Sequence, residues 1–173
     1  MCAAAPVHAA QQQGGGARVR AGRATAVRDT RAVPTVDDPQ ALWARVVAAP
    51  VGRLATLRSD GSPRLVPVTF APAIGLLCFA VDEVKPKRDS RLARLADITR
   101  DPRVALLVDH YAADWSTLWW VRVDGRAAVH DTGGLRERAL DALAAKYPAY
   151  RAARPAGPVV AITPERWTGW SAR

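Results

Sequence analysis

Cysteine is scarce in this 173-residue sequence, which contains only two. Cys2 lies near the start and Cys78 lies inside an apolar stretch. Two such separated thiols provide neither a disulfide framework nor a cysteine-rich metal cluster, and they are typical of a protein kept in a reducing compartment. We therefore expect a cytoplasmic protein.

Long hydrophobic runs are also missing. The longest, residues 74–81, is far shorter than the roughly 18 residues that a membrane-spanning helix needs. The first residues lack the hydrophobic segment of a secretory signal. An arginine-rich, acid-poor start is also found in organelle transit peptides, but the amphipathic pattern of such peptides is absent. We expect no membrane segment.

Histidine is nearly as rare, with three residues at positions 8, 110 and 130. Neither a Gly-x-Ser-x-Gly turn nor a cysteine placed for activation accompanies them. Their spacing relative to Asp109 and Asp124 does not match known metal sites. The sequence therefore predicts no nucleophilic triad and no metal centre, and we assign no catalytic side chain.

Lysine is scarce, with 3 lysines against 22 arginines and a net charge of +9. Such a charge suggests nucleic-acid binding. However, residues 1–35 hold five arginines and one aspartate, so the tail alone accounts for +4. We regard nucleic acid as an unlikely partner, although a non-catalytic binder of nucleic acid or cofactor remains the alternative class of protein.

Two regions differ in composition. Residues 1–33 are rich in Ala, Arg and Gly and include the low-complexity run Gln-Gln-Gln-Gly-Gly-Gly, which predicts a disordered tail. Residues 34–173 have the length and apolar content of one folded domain.

The apolar periodicity of that domain predicts mostly strands. A helix capped by Asp37 or Asp38 should end at Pro50. The short second helix should turn Leu92, Leu95 and Ala96 to one side. The complete prediction is a helix, strands at 51–58, 64–70 and 74–81, a short helix, strands at 104–108 and 118–129 (or a pair broken at 124–125), a helix at 135–147 and a strand at 158–163.

Antiparallel hairpins dominate this order, and strands do not alternate regularly with helices. The pattern therefore favours a mostly β protein, a small antiparallel β-barrel with flanking helices, over a doubly wound parallel sheet. Pro67 lies inside the second strand, which places that strand at an edge or at a bulge.

A basic segment follows the third predicted strand. Lys85 and Lys87, separated by Pro86, project to the same side of an extended chain. Arg88 can bind phosphate oxygens through its planar fork, and the next helix start adds free N–H groups. This is the strongest candidate anion site. The plain alternative is a solvated basic loop, and Asp89 would partly neutralise such a site.

A tryptophan-rich strand is the second candidate. Trp119 alternates to one face, with Val121, while Trp120 and Arg122 face the other way. One large aromatic on each face indicates that neither face meets open solvent, so the outward ring would meet a partner subunit or a flat ligand. The pattern is equally well explained if both Trp119 and Trp120 simply pack in the core. Trp167 and Trp170 would pack on their own barrel or reach across a dimer.

Five segments in order resemble the pyridoxamine-phosphate-oxidase-like split-barrel superfamily, and most closely its reductases that use the deazaflavin coenzyme F420. The resemblance covers residues 36–171. Its segments are residues 51–57 (VGRLATL), 63–70 (PRLVPVTF), 85–88 (KPKR), 101–109 (DPRVALLVD) and 114–125 (DWSTLWWVRVDG).

The resemblance implies an FMN-binding-like split β-barrel and a homodimer with the cofactor in an interface groove. It implies a PPOX-class oxidoreductase that moves a hydride between F420 and an unsaturated small molecule. FMN in an oxidase-like flavoprotein is the alternative cofactor. Little acid/base machinery is needed, because the cofactor carries the chemistry. The implied cofactor-binding residues are Lys85, Lys87 and Arg88 at the phosphate, Pro67, Val68, Thr69 and Phe70 at the ring and polyol chain, and Trp115 or Trp119 from the second chain.

Overall fold

The computed structural model describes residues 38–81 and 90–172. Its first element is helix α1, Pro39–Ala48, which confirms the predicted helix. The Asp38 carboxylate accepts a hydrogen bond from the Gln40 N–H at 3.0 Å, and Pro39 occupies the first turn, where no N–H is needed. The predicted tail and the basic segment with Lys85, Lys87 and Arg88 lie outside the described residues.

Seven strands and three further helices follow. The strands are β1 Gly52–Leu57, β2 Pro63–Val68, β3 Ala71–Ala73, β4 Leu76–Ala80, β5 Arg103–His110, β6 Trp119–His130 and β7 Val159–Ser171. The helices are α2 Ser90–Arg100, α3 Gly134–Lys146 and α4 Pro148–Ala152, with a 3₁₀ turn at Trp115–Thr117. Every strand pairing is antiparallel. No helix in these two ranges is both long enough and apolar enough to cross a membrane.

The sheet closes on itself. Its strand order is β2-β1-β5-β6-β7-β4-β3, so β2 and β3 lie at opposite ends of the sheet. Only Thr69 and Phe70 connect them, and the three Cα steps from Val68 to Ala71 span at most about 11 Å. The sheet must therefore curl until its two ends meet. The predicted split β-barrel is confirmed, and so is the edge position of Pro67.

Strand β7 is longer than the sequence indicated, and β6 is one continuous strand, the first of the two predicted alternatives. At Asp124 and Gly125, where the other alternative has a break, β6 has a β-bulge. A Cβ at Gly125 would collide with the Thr163 carbonyl oxygen, so the bulge requires glycine. Strand β7 continues through the C-terminal tryptophans, and Trp167 packs edge-on against Trp43 of its own barrel at 5.7 Å.

Two apolar clusters hold the fold. The larger fills the barrel, where Leu54, Phe70 and Phe79 are almost completely buried. The second lies where α3 packs on β3, β4 and β7, and it includes Leu140 and Cys78. Burial raises the pKa of the Cys78 thiol to about 11.

The short second helix is buried differently from its prediction. Leu95 packs on the core as expected, but Ala96 is exposed, and the buried residues are Asp97 and Ile98. Burying Asp97 is possible because arginines neutralise it, which no apolar pattern reveals. The side chain of Leu92 lies outside the described residues.

Candidate functional site

The outward face of strands β2, β1, β5 and β6, called the outer face below, carries an ordered row of side chains. Pro67, Arg53, Leu107 and Arg122 are direct cross-strand neighbours in that order. Adjacent strands lie about 4.8 Å apart, so the row is about 14 Å long. A planar ligand of several fused rings can lie along such a row.

A depression of about 450 Å³ opens at the β5–β6 end of this row. Its walls combine two aromatic rings, an aliphatic side chain and two charged groups. They are Leu107, Asp109, Tyr111, Trp120 and Arg122. Its volume lies within the range of small-molecule sites.

Two ion pairs lie on the outer face. Asp109 forms an ion pair with Arg53, and Arg122 Nε lies 3.0 Å from the Asp124 carboxylate, without hydrogen-bond geometry. These pairs place both signs of charge in the middle of the face, and the exposed Arg126 lies further along β6.

Apolar side chains surround the paired charges. The outward face of an antiparallel sheet in water is usually polar. Here Leu65 is 67% exposed and Tyr111 is 66% exposed, and the outward positions next to them include Pro67, Trp120 and Trp170. Exposed apolar side chains of this size on both sides of the paired charges favour a surface that a ligand or another protein covers.

The four predicted ring-contacting residues lie at the seam of the barrel, but they point in different directions. Pro67 is exposed on the outer face, and Thr69 is half-buried with its hydroxyl 3.0 Å from the Tyr150 hydroxyl. The side chains of Val68 and Phe70 are buried in the core, so these two residues can reach a ligand only through their backbone.

The β2–β3 connector, Thr69 and Phe70, is held by the end of α3. The Phe70 N–H donates to the Tyr147 hydroxyl at 3.1 Å, and that hydroxyl shares its proton between the Phe70 and Pro50 carbonyls, both at 2.8 Å. Burial raises the pKa of Tyr147, although the hydrogen bond to Phe70 acts in the opposite direction. The hydroxyl therefore stays protonated and available as a donor at neutral pH.

Lys146 supports the same region. Its ammonium group donates to the Ala49 carbonyl at 2.7 Å and lies 4.4 Å from the centre of the Phe70 ring. Burial lowers the pKa of Lys146.

The basic segment lies outside the described residues, but the elements on either side of it are fixed. Val81 donates its N–H to the Pro158 carbonyl at 2.9 Å, directly before the segment. Helix α2 begins at Ser90, directly after it. The predicted anion site is therefore attached to a buried strand at one end and to a helix start at the other, as the sequence indicated.

A buried carboxylate fastens α2 to the β1–β2 hairpin. Asp97, 4% exposed, accepts a hydrogen bond from Arg64 Nε at 2.6 Å and lies 3.5 Å from both Arg100 and the Thr56 hydroxyl. Burial alone would raise the pKa of Asp97, but the hydrogen bond and charge of Arg64, helped by Arg100, lower it below the ordinary value. The network fixes α2 relative to the strand that leads to Pro67.

The two predicted tryptophans occupy different environments. Trp115 is 78% exposed in the 3₁₀ turn. Trp119 faces the core, with its ring stacked 6.5 Å from His110 and the Arg45 guanidinium 5.2 Å away. Trp120, on the opposite face, lines the depression, although the predicted set of site residues does not include it. Its position on the same face of β6 as Arg122 is the sequence feature that indicates this location. Cofactor contact by Trp115 and Trp119 stays a prediction.

Comparison with known proteins identifies the family. The profile described as pyridoxamine 5'-phosphate oxidase matches residues 38–171, nearly the whole described chain, and the chain therefore belongs to this family. No curated protein matches the chain at a significant level.

Solved structures confirm the fold. A conserved hypothetical protein from Mycobacterium tuberculosis is 21% identical with a TM-score of 0.66, over 80% of this chain and 88% of that one. A protein from Mesorhizobium loti described as FAD-binding is 23% identical with a TM-score of 0.58, and the match covers 79% of this chain and 96% of that one.

Proposed function

We propose that this chain is an oxidoreductase that holds a flavin-type cofactor, with the deazaflavin F420 as its hydride carrier and an unsaturated small molecule as its substrate. The observation that carries the proposal is the family match across residues 38–171, in a family named for an oxidase. The structural neighbour from Mesorhizobium loti, which by its description binds FAD, supports a flavin-type ligand.

The described residues fit such a group. The outer-face row alternates the apolar Pro67 and Leu107 with Arg53 and Arg122, beside a depression of about 450 Å³ whose volume suits a small-molecule ligand. Bound there, the cofactor supplies the hydride chemistry. Pro67 and Thr69 orient the ring, and Trp120 and Leu107 exclude water beside it. Lys85, Lys87 and Arg88 bind the anionic end by charge-assisted hydrogen bonds.

The choice between F420 and FMN is tested by titrating the purified protein with each cofactor and following the fluorescence of each. The proposal predicts saturable quenching of F420 fluorescence and weak binding of FMN. Selective binding of FMN would replace F420 in the proposal by its alternative. Tight binding without reduction of any unsaturated compound would indicate a non-catalytic cofactor binder.

The anion site is tested by replacing both lysines, Lys85→Ala with Lys87→Ala. Cofactor affinity should fall by at least tenfold, because each charge-assisted bond is worth about 1.5–3 kcal/mol. The matched control is Arg138→Ala with Arg151→Ala, which removes the same charge from exposed positions on α3 and α4. Equal losses in both variants would indicate general charge attraction, and a large fall in apo Tm in the lysine variant would indicate a structural segment.

The family resemblance implies a homodimer, and we also propose that its two copies pair through the outer face. The exposed apolar side chains and the balanced ion pairs of this face suit a self-complementary contact. Leu65→Asp, at a 67% exposed position, should convert a dimer into a monomer in light scattering after size exclusion. Ile74→Asp is the control, because Ile74 is 58% exposed in the turn between β3 and β4. A monomeric wild type, or a dimeric Leu65→Asp variant, contradicts this pairing.

A further inference from the structure

The end of α3 meets the chain at the seam where the barrel closes. Tyr147 follows α3 directly, and its hydroxyl binds both backbone polar groups of Phe70. The same hydroxyl reaches the carbonyl of Pro50, which lies between α1 and β1. One side-chain oxygen therefore joins three segments that are distant in sequence.

The hydroxyl is the part of Tyr147 that needs an explanation. Tyr147 is half-buried, and withdrawing its hydroxyl from water is unfavourable unless that hydroxyl forms hydrogen bonds, a cost that a phenylalanine at this position would not have. The three groups that this hydroxyl binds all belong to the main chain, two of them in the β2–β3 connector. The hydroxyl therefore fixes the backbone of the connector, which the apolar packing of the Phe70 ring does not fix by itself.

Lys146 stabilises the same region. Its ammonium group binds the carbonyl of Ala49, next to Pro50, and contacts the Phe70 ring. Together, Lys146 and Tyr147 hold the connector between α3 and the α1–β1 turn. The connector directly follows Pro67 and Val68, so its conformation sets where the end of β2 can touch a ligand.

We propose that Tyr147 is a positioning residue for the cofactor ring: through its hydroxyl it holds the connector so that Pro67 and Thr69 meet the ring. This inference rests on the proposed function. It adds a residue at the end of α3 that acts through the connector and does not contact the cofactor.

Hydrogen exchange of the apo-protein tests the first half of this inference without any cofactor. In the wild type the Phe70 amide donates to Tyr147 and should exchange slowly. In Tyr147→Phe the amide of Phe70 should exchange at least about tenfold faster, because its acceptor is removed while the ring remains. Unchanged exchange at Phe70 overturns the inference.

Cofactor titration tests the second half. Tyr147→Phe should weaken binding of F420, or of FMN if the wild type prefers it, by about five- to tenfold and should change the absorption spectrum of the bound ring. Lys146→Met keeps most of the side-chain length but loses the hydrogen-bond donor to Ala49, so it should also weaken cofactor binding. The control is Leu140→Ala, which removes a buried side chain of α3 that has no hydrogen bond to the connector. It should lower Tm further than Tyr147→Phe yet leave affinity and spectrum unchanged.

The outcomes separate the two proposals. A wild type that binds neither cofactor overturns the proposed function, and with it this inference. Tight wild-type binding that is unchanged in Tyr147→Phe overturns this inference alone. If Leu140→Ala weakens binding as much as Tyr147→Phe does, the effect is one of general stability, and the positioning role is refuted.

Discussion

Replacing Asp97 by asparagine tests how α2 is fastened to the barrel. The substitution Asp97→Asn would keep the size and one acceptor oxygen of the side chain but remove its charge. The Arg64 Nε, 2.6 Å from the wild-type carboxylate, would then lack its counter-ion.

The magnitude follows from the burial of the three charged side chains. Removing one partner of a fully buried pair costs about 3–5 kcal/mol, whereas an exposed pair contributes at most about 1 kcal/mol. The side chain of Asp97 is 6% exposed, but that of Arg64 is 21% and that of Arg100 is 41% exposed, so water reaches the guanidinium side of the network. We therefore expect the free energy of unfolding to fall by about 2 kcal/mol, between these limits. For a domain of this size that is a decrease in Tm of about 6–10 °C.

The effect depends on pH in a direction that the structure determines. The folded-state pKa of Asp97 is lowered, so the carboxylate stabilises the fold at pH values above its unfolded pKa of about 3.9. That contribution is lost as the pH falls through the lower, folded-state pKa. The Tm difference between wild type and Asp97→Asn should therefore be constant near neutral pH and should shrink below about pH 4.

Thermal unfolding followed by circular dichroism measures both effects. Asp101→Asn is the control, because Asp101 and Arg103 also lie 2.6 Å apart but Arg103 is 68% exposed. Hydrogen bonds from Arg103 lower the pKa of Asp101 to about 2, yet its loss should hardly change Tm, since water screens the pair. Equal Tm losses in the two variants would refute the argument that burial decides the strength of the Asp97 network.

Three other predictions concern Gly125, Cys78 and the N-terminal tail. Gly125→Ala should lower Tm strongly or prevent folding, because its Cβ would meet the backbone carbonyl of Thr163, which cannot rotate away. A Tm close to that of the wild type would show that the bulge can relax. Cys78 should resist alkylation in the native protein at pH 8 and react only in denaturant, because it is buried and its pKa is raised to about 11; rapid native labelling would contradict this burial. Deletion of residues 1–33 should leave Tm and cofactor affinity unchanged, and lost affinity would assign the tail to the site.

The sequence predicted those elements whose signals are local. Asp38 and Pro39 mark the start of α1 by capping chemistry, and the structure shows both in these roles. Alternation along β6 predicted which face each tryptophan takes, and a bulge occurs at the Asp124–Gly125 step, where one of the two predicted alternatives has a strand break. Such features depend on neighbouring residues alone, so they can be recognised without knowing the fold.

Features that depend on distant residues were missed. Strand β3 has three residues, and its turn has Ile74 at a φ of 54°, so no apolar periodicity could reveal it. The burial of Asp97 depends on Arg64, 33 residues earlier in the chain. The hydroxyl of Tyr147 meets Phe70 only because the sheet curls, and that contact follows from topology rather than from pattern.

The candidate site was predicted in part. Pro67 is exposed on the outer face, as a ligand-contacting role requires, whereas Thr69 is half-buried with its hydroxyl near Tyr150, and the side chains of Val68 and Phe70 serve the core. The depression beside Trp120 joins residues from β5 and β6 whose proximity depends on strand register. Register is set by long-range pairing, so sequence alone could not assemble this part of the site.

A crystal structure of the protein with its preferred cofactor would test the central claim most directly. We expect Lys85 and Lys87 to lie within hydrogen-bonding distance of the anionic end of the cofactor and its ring to lie against Pro67 and Thr69. A cofactor bound elsewhere, with both lysines extended into solvent and away from the outer face, would contradict this expectation.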